Sequence, residues 1–165
     1  MLSSQCKSVK WVVLLMLACM TSTVNAADKS SSLRFNVDKS QFYSANFDAG
    51  SISILNRDDG TLVKEATIGR DIRRIAIPDD GKLLLATDYL NDRVLLLDAK
   101  TLEVVQKTEV PSRPFGVVFN PAQQLFYITS FERSKLLVMN RSGEIVRTLS
   151  TEATPRGLAL TDDGR

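Results

Sequence analysis

"RRIAIPDDGKLLLATDY" spans residues 73–89, and "RGLALTDDGR", residues 156–165, repeats its opening phrase. Two apolar runs joined through Asp-Asp-Gly form a hairpin signature, because Asx-Gly pairs tolerate the positive φ of tight antiparallel turns. A recurring phrase calls for a search for a period before any division into domains. Phe47, Tyr89 and Phe131 stand 42 residues apart. So do Asn56, Asp98 and Asn140, which close "SISILN", "RVLLLD" and "KLLVMN". The third copy is one residue shorter, which puts Pro114 and Pro155 41 apart.

Each unit reads as four short strands rich in Val, Leu and Ile. In the middle copy they cover about 73–77, 83–89, 93–98 and 103–110, with turn residues between them. No stretch after Ala26 carries a 3.6-residue apolar period, so helix content should be near zero. Four antiparallel strands per period suit a propeller blade, whose two apolar faces are buried by its neighbours. The fold class is therefore all-β. The expected architecture is a β-propeller with complete blades at about 32–69, 73–110 and 114–150 and the first strand of a fourth within 155–165. Closed rings typically take about four to eight blades. The chain thus reads as part of a longer propeller, with ring closure by oligomerisation as the alternative.

Residues 1–26 read as a secretory signal peptide: Lys7 and Lys10, then the apolar run "WVVLLMLACM" (11–20), then Val24 and Ala26 before a cleavage point. An uncut anchor and lipoprotein processing at Cys19 are the alternatives. Export to the periplasm or the exterior follows, with 27–165 as the mature partial propeller. Cleavage removes Cys6, Cys19 and Trp11, and it lowers the 21 Lys and Arg to match the 19 Asp and Glu. A neutral mature chain carries no general pull toward nucleic acid or anionic membrane. Histidine is absent from the whole sequence. A Ser-His-Asp triad, a His-metal cluster and a histidine-ligated haem therefore cannot be assembled from this chain alone.

The phrases "YSAN" (43–46), "LATD" (85–88) and "YITS" (127–130) are followed by "ISILN", "VLLLD" and "LLVMN". "RPFGVVFNP" (113–121) and "TPRGLALTDDGR" (154–165) complete the pattern. Over residues 32–165 the chain resembles the YVTN-family β-propeller repeats of YncE-like exported proteins. It departs from them at Ile72-Arg73-Arg74, where that pattern has Pro-x-Gly. The family is similar in blade design to haem d1 domains of nitrite reductases and to lactonase-type propellers. The first resemblance implies histidine at iron, which this chain lacks. The second implies polar groups converging from blades beyond these three.

Loops on one rim of a propeller usually meet ligands. The loops entering each new blade, "GRDIRR", "VPSRPF" and "EATPRG", carry Arg70, Arg73, Arg74, Arg113 and Arg156. Arg73 and Arg156 are equivalent in the repeat, and Arg113 is two residues off that register. A cationic rim would hold carboxylate or phosphate through forked hydrogen bonds. The plainer reading pairs these arginines with neighbours such as Asp71 or Glu152. Phe47, Tyr89 and Phe131 could stack on a ligand, but strict periodicity favours packing where blades meet. Asp58-Asp59, Asp79-Asp80 and Asp162-Asp163 sit beside turn positions and read as turn formers rather than calcium ligands. The expected ligand-binding set is Arg70, Arg73, Arg113, Arg156 and Tyr89, with no catalytic residue, metal or cofactor assigned. The expected role is a binding module for a small anionic ligand, a polymer or a protein partner. A propeller enzyme, lactonase-like or oxidoreductase, with catalytic residues beyond Arg165 is the alternative, and a surface-layer protein is a third.

Overall fold

A computed structural model describes residues 30–161. The leader expected at 1–26 and the Asp163-Gly164 turn lie outside the described residues. Among the described residues, twelve strands form three antiparallel four-stranded sheets, each in sequential order. Blade I holds β1 (Ser30–Phe35), β2 (Gln41–Asn46), β3 (Ser51–Asn56) and β4 (Leu62–Thr67). Blade II holds β5 (Ile72–Ala76), β6 (Leu83–Asp88), β7 (Arg93–Asp98) and β8 (Val104–Glu109). Blade III holds β9 (Pro114–Asn120), β10 (Leu125–Ser130), β11 (Lys135–Met139) and β12 (Ile145–Ser150). The inner strands β1, β5 and β9 are neighbours in space. Tyr89 leaves β6 and opens a single 3-10 turn, Tyr89–Asn91.

Why "LLLAT" is apolar throughout follows from this arrangement. Successive side chains of a strand point to opposite faces, and both faces of the middle blade are covered. Leu84 and Ala86 of β6 pack on Tyr43, Ala45, Ile52 and Ile54 of blade I. Leu85, Val94 and Leu96 pack on Val117, Phe126, Ile128 and Leu137 of blade III. Turns repeat as strictly as the core. Gly50, Asp92 and Ser134, one period apart, all adopt positive φ, and so do Gly60, Leu102 and Gly143 at the next turn. Each outer strand also carries a register shift beside an exposed valine: Val63, Val105 or Val146. Such bulges twist an edge away from pairing with another chain.

Hydroxyl groups join the blades. Thr87, fully buried, accepts the Arg74 N–H of its own blade at 3.0 Å and donates to the Phe115 carbonyl of blade III at 3.0 Å. Thr129, one period on, accepts the Gly116 N–H at 2.7 Å and donates to the Arg156 carbonyl at 3.2 Å. Blade I has Ala45 at this position, and Ser31 substitutes by donating to the Arg73 carbonyl at 2.7 Å. The 155–160 segment thereby occupies the inner-strand place beside β9 without a ladder of its own. Gly116 permits this approach, since a Cβ there would lie 2.3 Å from the Arg156 carbonyl oxygen.

Replacing Thr87 by Val removes one donor and one acceptor while leaving their buried backbone partners in place. The expected loss is about 1–3 kcal/mol in urea denaturation, with Thr87→Ser close to the parent. An unchanged midpoint for Thr87→Val would remove the bridge from the account of seam stability. Acid should act on the turns. Hydrogen bonds from Ser40, from the Thr61 backbone and from the Thr101 backbone hold the carboxyls of Asp38, Asp59 and Asp98, respectively, below the usual range. A carboxylate depressed in the folded state stabilises above its unfolded value, and that contribution is lost as pH falls through the folded one. The urea midpoint should therefore hold above about pH 4 and decline below it.

Candidate functional site

At the end of β2, β6 and β10 the chain leaves the blade through an aromatic residue, and the inner strand of the next blade inserts a side chain beside it. The Arg73 guanidinium lies between two rings, 4.8 Å from the Phe47 centroid and 4.9 Å from that of Tyr89. Phe115 follows at the equivalent position, edge-on to Tyr89 at 6.0 Å and tilted against Phe131 at 6.4 Å. Arg156 completes the row, 4.8 Å over Phe131. The result is a ladder along one rim, in the order Phe47, Arg73, Tyr89, Phe115, Phe131, Arg156. Stacking between rings and between ring and cation favours each contact by about 0.5–1.5 kcal/mol. The three period-related aromatics are half-buried. They pack where blades meet and also present ring surface to the rim. Arg73, Tyr89, Phe115, Phe131 and Arg156 line a cavity of about 290 Å³.

The cations along this row differ in how their charge is balanced. Arg73 grips the buried Asp71 with Nε–Oδ1 at 2.7 Å and Nη2–Oδ2 at 2.8 Å, the first contact close but poorly aligned as a hydrogen bond. Arg113 pairs with Glu132 at 2.8 Å, donates to the Tyr89 hydroxyl at 3.3 Å and lies 5.3 Å from that ring. The Tyr89 hydrogen bond, then Glu132, raises its pKa. Arg74 is different. Its Nη1 donates to the carbonyls of Ser31 and Arg73, its guanidinium stacks 5.2 Å from Phe115, and it has no acidic partner among the described residues. Burial, then the nearby Arg34 and Arg73, lower its pKa. Arg156 is exposed, and among the described residues its guanidinium is engaged by the Phe131 ring. Among the described residues, two cations at this rim therefore have no carboxylate partner.

Of the expected set, the structure brings Arg73, Tyr89, Arg113 and Arg156 together. Arg70 stands off the ladder with its side chain exposed, and its backbone N–H donates to Asp88 at 3.0 Å. Phe115 lies outside the expected set, although it occupies the repeat position of Arg73 and Arg156 and is legible from the register. Arg74, in the same loop as Arg73, lies outside the expected set. Nothing near it in sequence signals that it lacks a carboxylate partner. Asp88 holds the loop itself. Fully buried, it accepts the Asp71 N–H at 3.2 Å and pairs with Arg93 at 2.9 Å and with Asn91 at 2.8 Å.

Residues 22–164 match the family described as the cytochrome D1 heme domain. The chain is 24% identical over 150 residues to the uncharacterized protein YncE of Salmonella typhimurium, an alignment covering 88% of this chain and 42% of that one. Identity to the dihydro-heme d1 dehydrogenase of Pseudomonas aeruginosa is 33% over 73 residues, covering 44% of this chain and 15% of the relative. Among solved structures, Kuenenia stuttgartiensis hydrazine synthase aligns with a TM-score of 0.78 at 18% identity, over 88% of this chain and 43% of that one. The dihydro-heme d1 dehydrogenase NirN in complex with DHE aligns at 0.69 and 24%, over 81% and 30%. The chain thus spans less than half the length of these proteins.

Proposed function

This chain belongs to the cytochrome D1 heme domain family as a YncE-like β-propeller repeat protein, and from that membership we propose that it is part of an exported binding propeller for a planar, anionic ligand. The observation that carries the reading is the ladder: three consecutive rings, Tyr89, Phe115 and Phe131, lie between the guanidiniums of Arg73 and Arg156, and Arg74 and Arg156 have no carboxylate partner among the described residues. Rings suit the face of a flat conjugated ligand, and guanidinium forks suit its carboxylates. The leader expected at 1–26 supports export.

The family implies haem, and the fit divides. Arg156, Arg74 and the rings of Tyr89, Phe115 and Phe131 suit the carboxylates and plane of a tetrapyrrole. Axial ligation of iron by these residues does not fit. The chain has no histidine, Met139 is fully buried in a seam, and the Tyr89 hydroxyl accepts from Arg113. The proposal is accordingly recognition of the organic anion, with no step through a metal. A second reading, part of a propeller enzyme, draws on the 33% match to a dehydrogenase segment.

The test is titration with a polycarboxylated porphyrin, followed by its absorption shift. Arg156→Ala should weaken binding by roughly tenfold, about 1.4 kcal/mol, and lower the urea midpoint only slightly, by the loss of one exposed ring contact. Phe115→Ala, which removes the middle of the three rings, should also weaken binding, and added salt should weaken it for the parent. Equal affinities for the parent and Arg156→Ala would reject this rim as the site.

A further inference from the structure

The rim opposite the ladder differs between the two seams. Arg141 closes the seam between blades II and III. Its guanidinium reaches Asp80 at 2.5 Å and Asp79 at 4.0 Å, donates to Gln124 at 2.7 Å and lies 5.9 Å from the Phe119 centroid. Below it Gln106 packs against Gly143, whose carbonyl accepts from Thr108 at 2.7 Å.

The seam between blades I and II uses the same strands with other side chains. Ala99 stands one period before Arg141, Val37 before Asp79 and Lys64 before Gln106. The bridging guanidinium and the farther of its two acidic partners are thereby replaced by small apolar groups, while Asp38 keeps the place of Asp80. A cleft of about 570 Å³ results, within the range of small-molecule sites. Its floor is Ile54 and Tyr43, both buried, the latter tied to the Ala99 carbonyl at 3.0 Å. Val37 and Val63 flank it, 58% and 53% exposed. Lys64 and Lys100 line the cleft with no ion pair or hydrogen bond from either ammonium among the described residues. Its two carboxylates are both committed: Asp38 accepts from the N–H and hydroxyl of Ser40, and Asp80 holds Arg141.

We propose that this cleft is a second binding site, taking a carboxylate that carries a short aliphatic tail. The two ammoniums receive the head, and as point charges on flexible stems they accept it without a fixed fork geometry. Val37, Val63 and Ile54 receive the tail, whose burial also removes two exposed valines from water. The site is independent of the ladder, which lies at the other end of the seam.

Calorimetric titration of the whole protein with sodium octanoate tests it. Octanoate should bind, and the double variant Lys64→Gln/Lys100→Gln should bind at least tenfold more weakly. Ala99→Arg should abolish binding by filling the cleft as Arg141 fills the neighbouring seam. The double variant changes only exposed side chains and decides the matter if Ala99→Arg fails to fold. Octanoate binding unaltered in the double variant, or 1-octanol binding as tightly as octanoate, would overturn the assignment. So would an N-acetyl dipeptide ending in Leu that binds where octanoate does not.

Discussion

Everything at the ladder rim depends on a hydroxyl that crosses from one blade to the carbonyl of the next. Each sheet keeps its backbone ladder within one blade, so strand pairing does not fix the height of one blade against another. Apolar packing of Leu84 on Ile52, or of Leu85 on Val117, holds the blades together but is not directional. The Thr87 and Thr129 bridges add the direction. They end on the carbonyls of Phe115 and Arg156, and Ser31 ends on that of Arg73. Those three residues are the ones that insert between the rim aromatics. A seam bond and a site geometry are therefore set by the same backbone atoms.

Charge at this rim is placed with unequal cost. Asp71 is buried, and a buried carboxylate is tolerable only when paired and hydrogen-bonded. Arg73 supplies that pairing and is thereby committed, held rigid between two rings. Arg74 and Arg156 have no carboxylate partner among the described residues; Arg74 is held by the carbonyls of Ser31 and Arg73, and Arg156 by the Phe131 ring. The anchors of the entering loops also vary. Asp88 accepts two backbone N–H groups, whereas Ser130 at the same repeat position donates to the carbonyls of Pro111 and Ser112. Its loop runs through positive φ at Ser112 and Arg113. This different path belongs with the displacement of Arg113 from the register and its pairing across to Glu132.

The fold was legible because a repeat writes one physical demand three times. A positive-φ turn, apolar runs and an aromatic at one fixed place recur at about 42 residues, and each recurrence corrects the reading of the last. The site was legible only in part. Arg73 and Arg156 follow from the register, but the partnership of Arg113 with Glu132 joins residues 19 positions apart through a turn whose path no motif encodes. The aromatics read as packing groups because periodicity marks packing. That reading captures their stacking and misses their half-exposure, since a seam that ends at a rim is wet on one side. Arg70 had the right type in the right loop, yet local backbone direction sends it off the ladder.

Departures from the repeat carry more information about function than the repeat does. Core positions such as Leu84 and Phe126 answer to packing, where a lost methylene is felt throughout the seam. Positions at the seam ends are released from that demand once a neighbour supplies the same bond, as Ser31 does for the missing hydroxyl at Ala45. Blade I shows the freedom most plainly. Ser44 and Ser53 occupy the places of Ala86 and Leu95 in blade II and of Ile128 and Leu137 in blade III. Asn46 ties them into one network, accepting from Ser44 at 2.9 Å and donating to Ser53 at 2.8 Å. A polar pair in a core position is acceptable there because every member has a partner. Phe115 for arginine in the ladder and Ala99 for arginine at the lower rim are departures of the same kind. In each case a neighbouring seam shows what the fold would accept, so the side chain actually present is free to answer to something other than the fold.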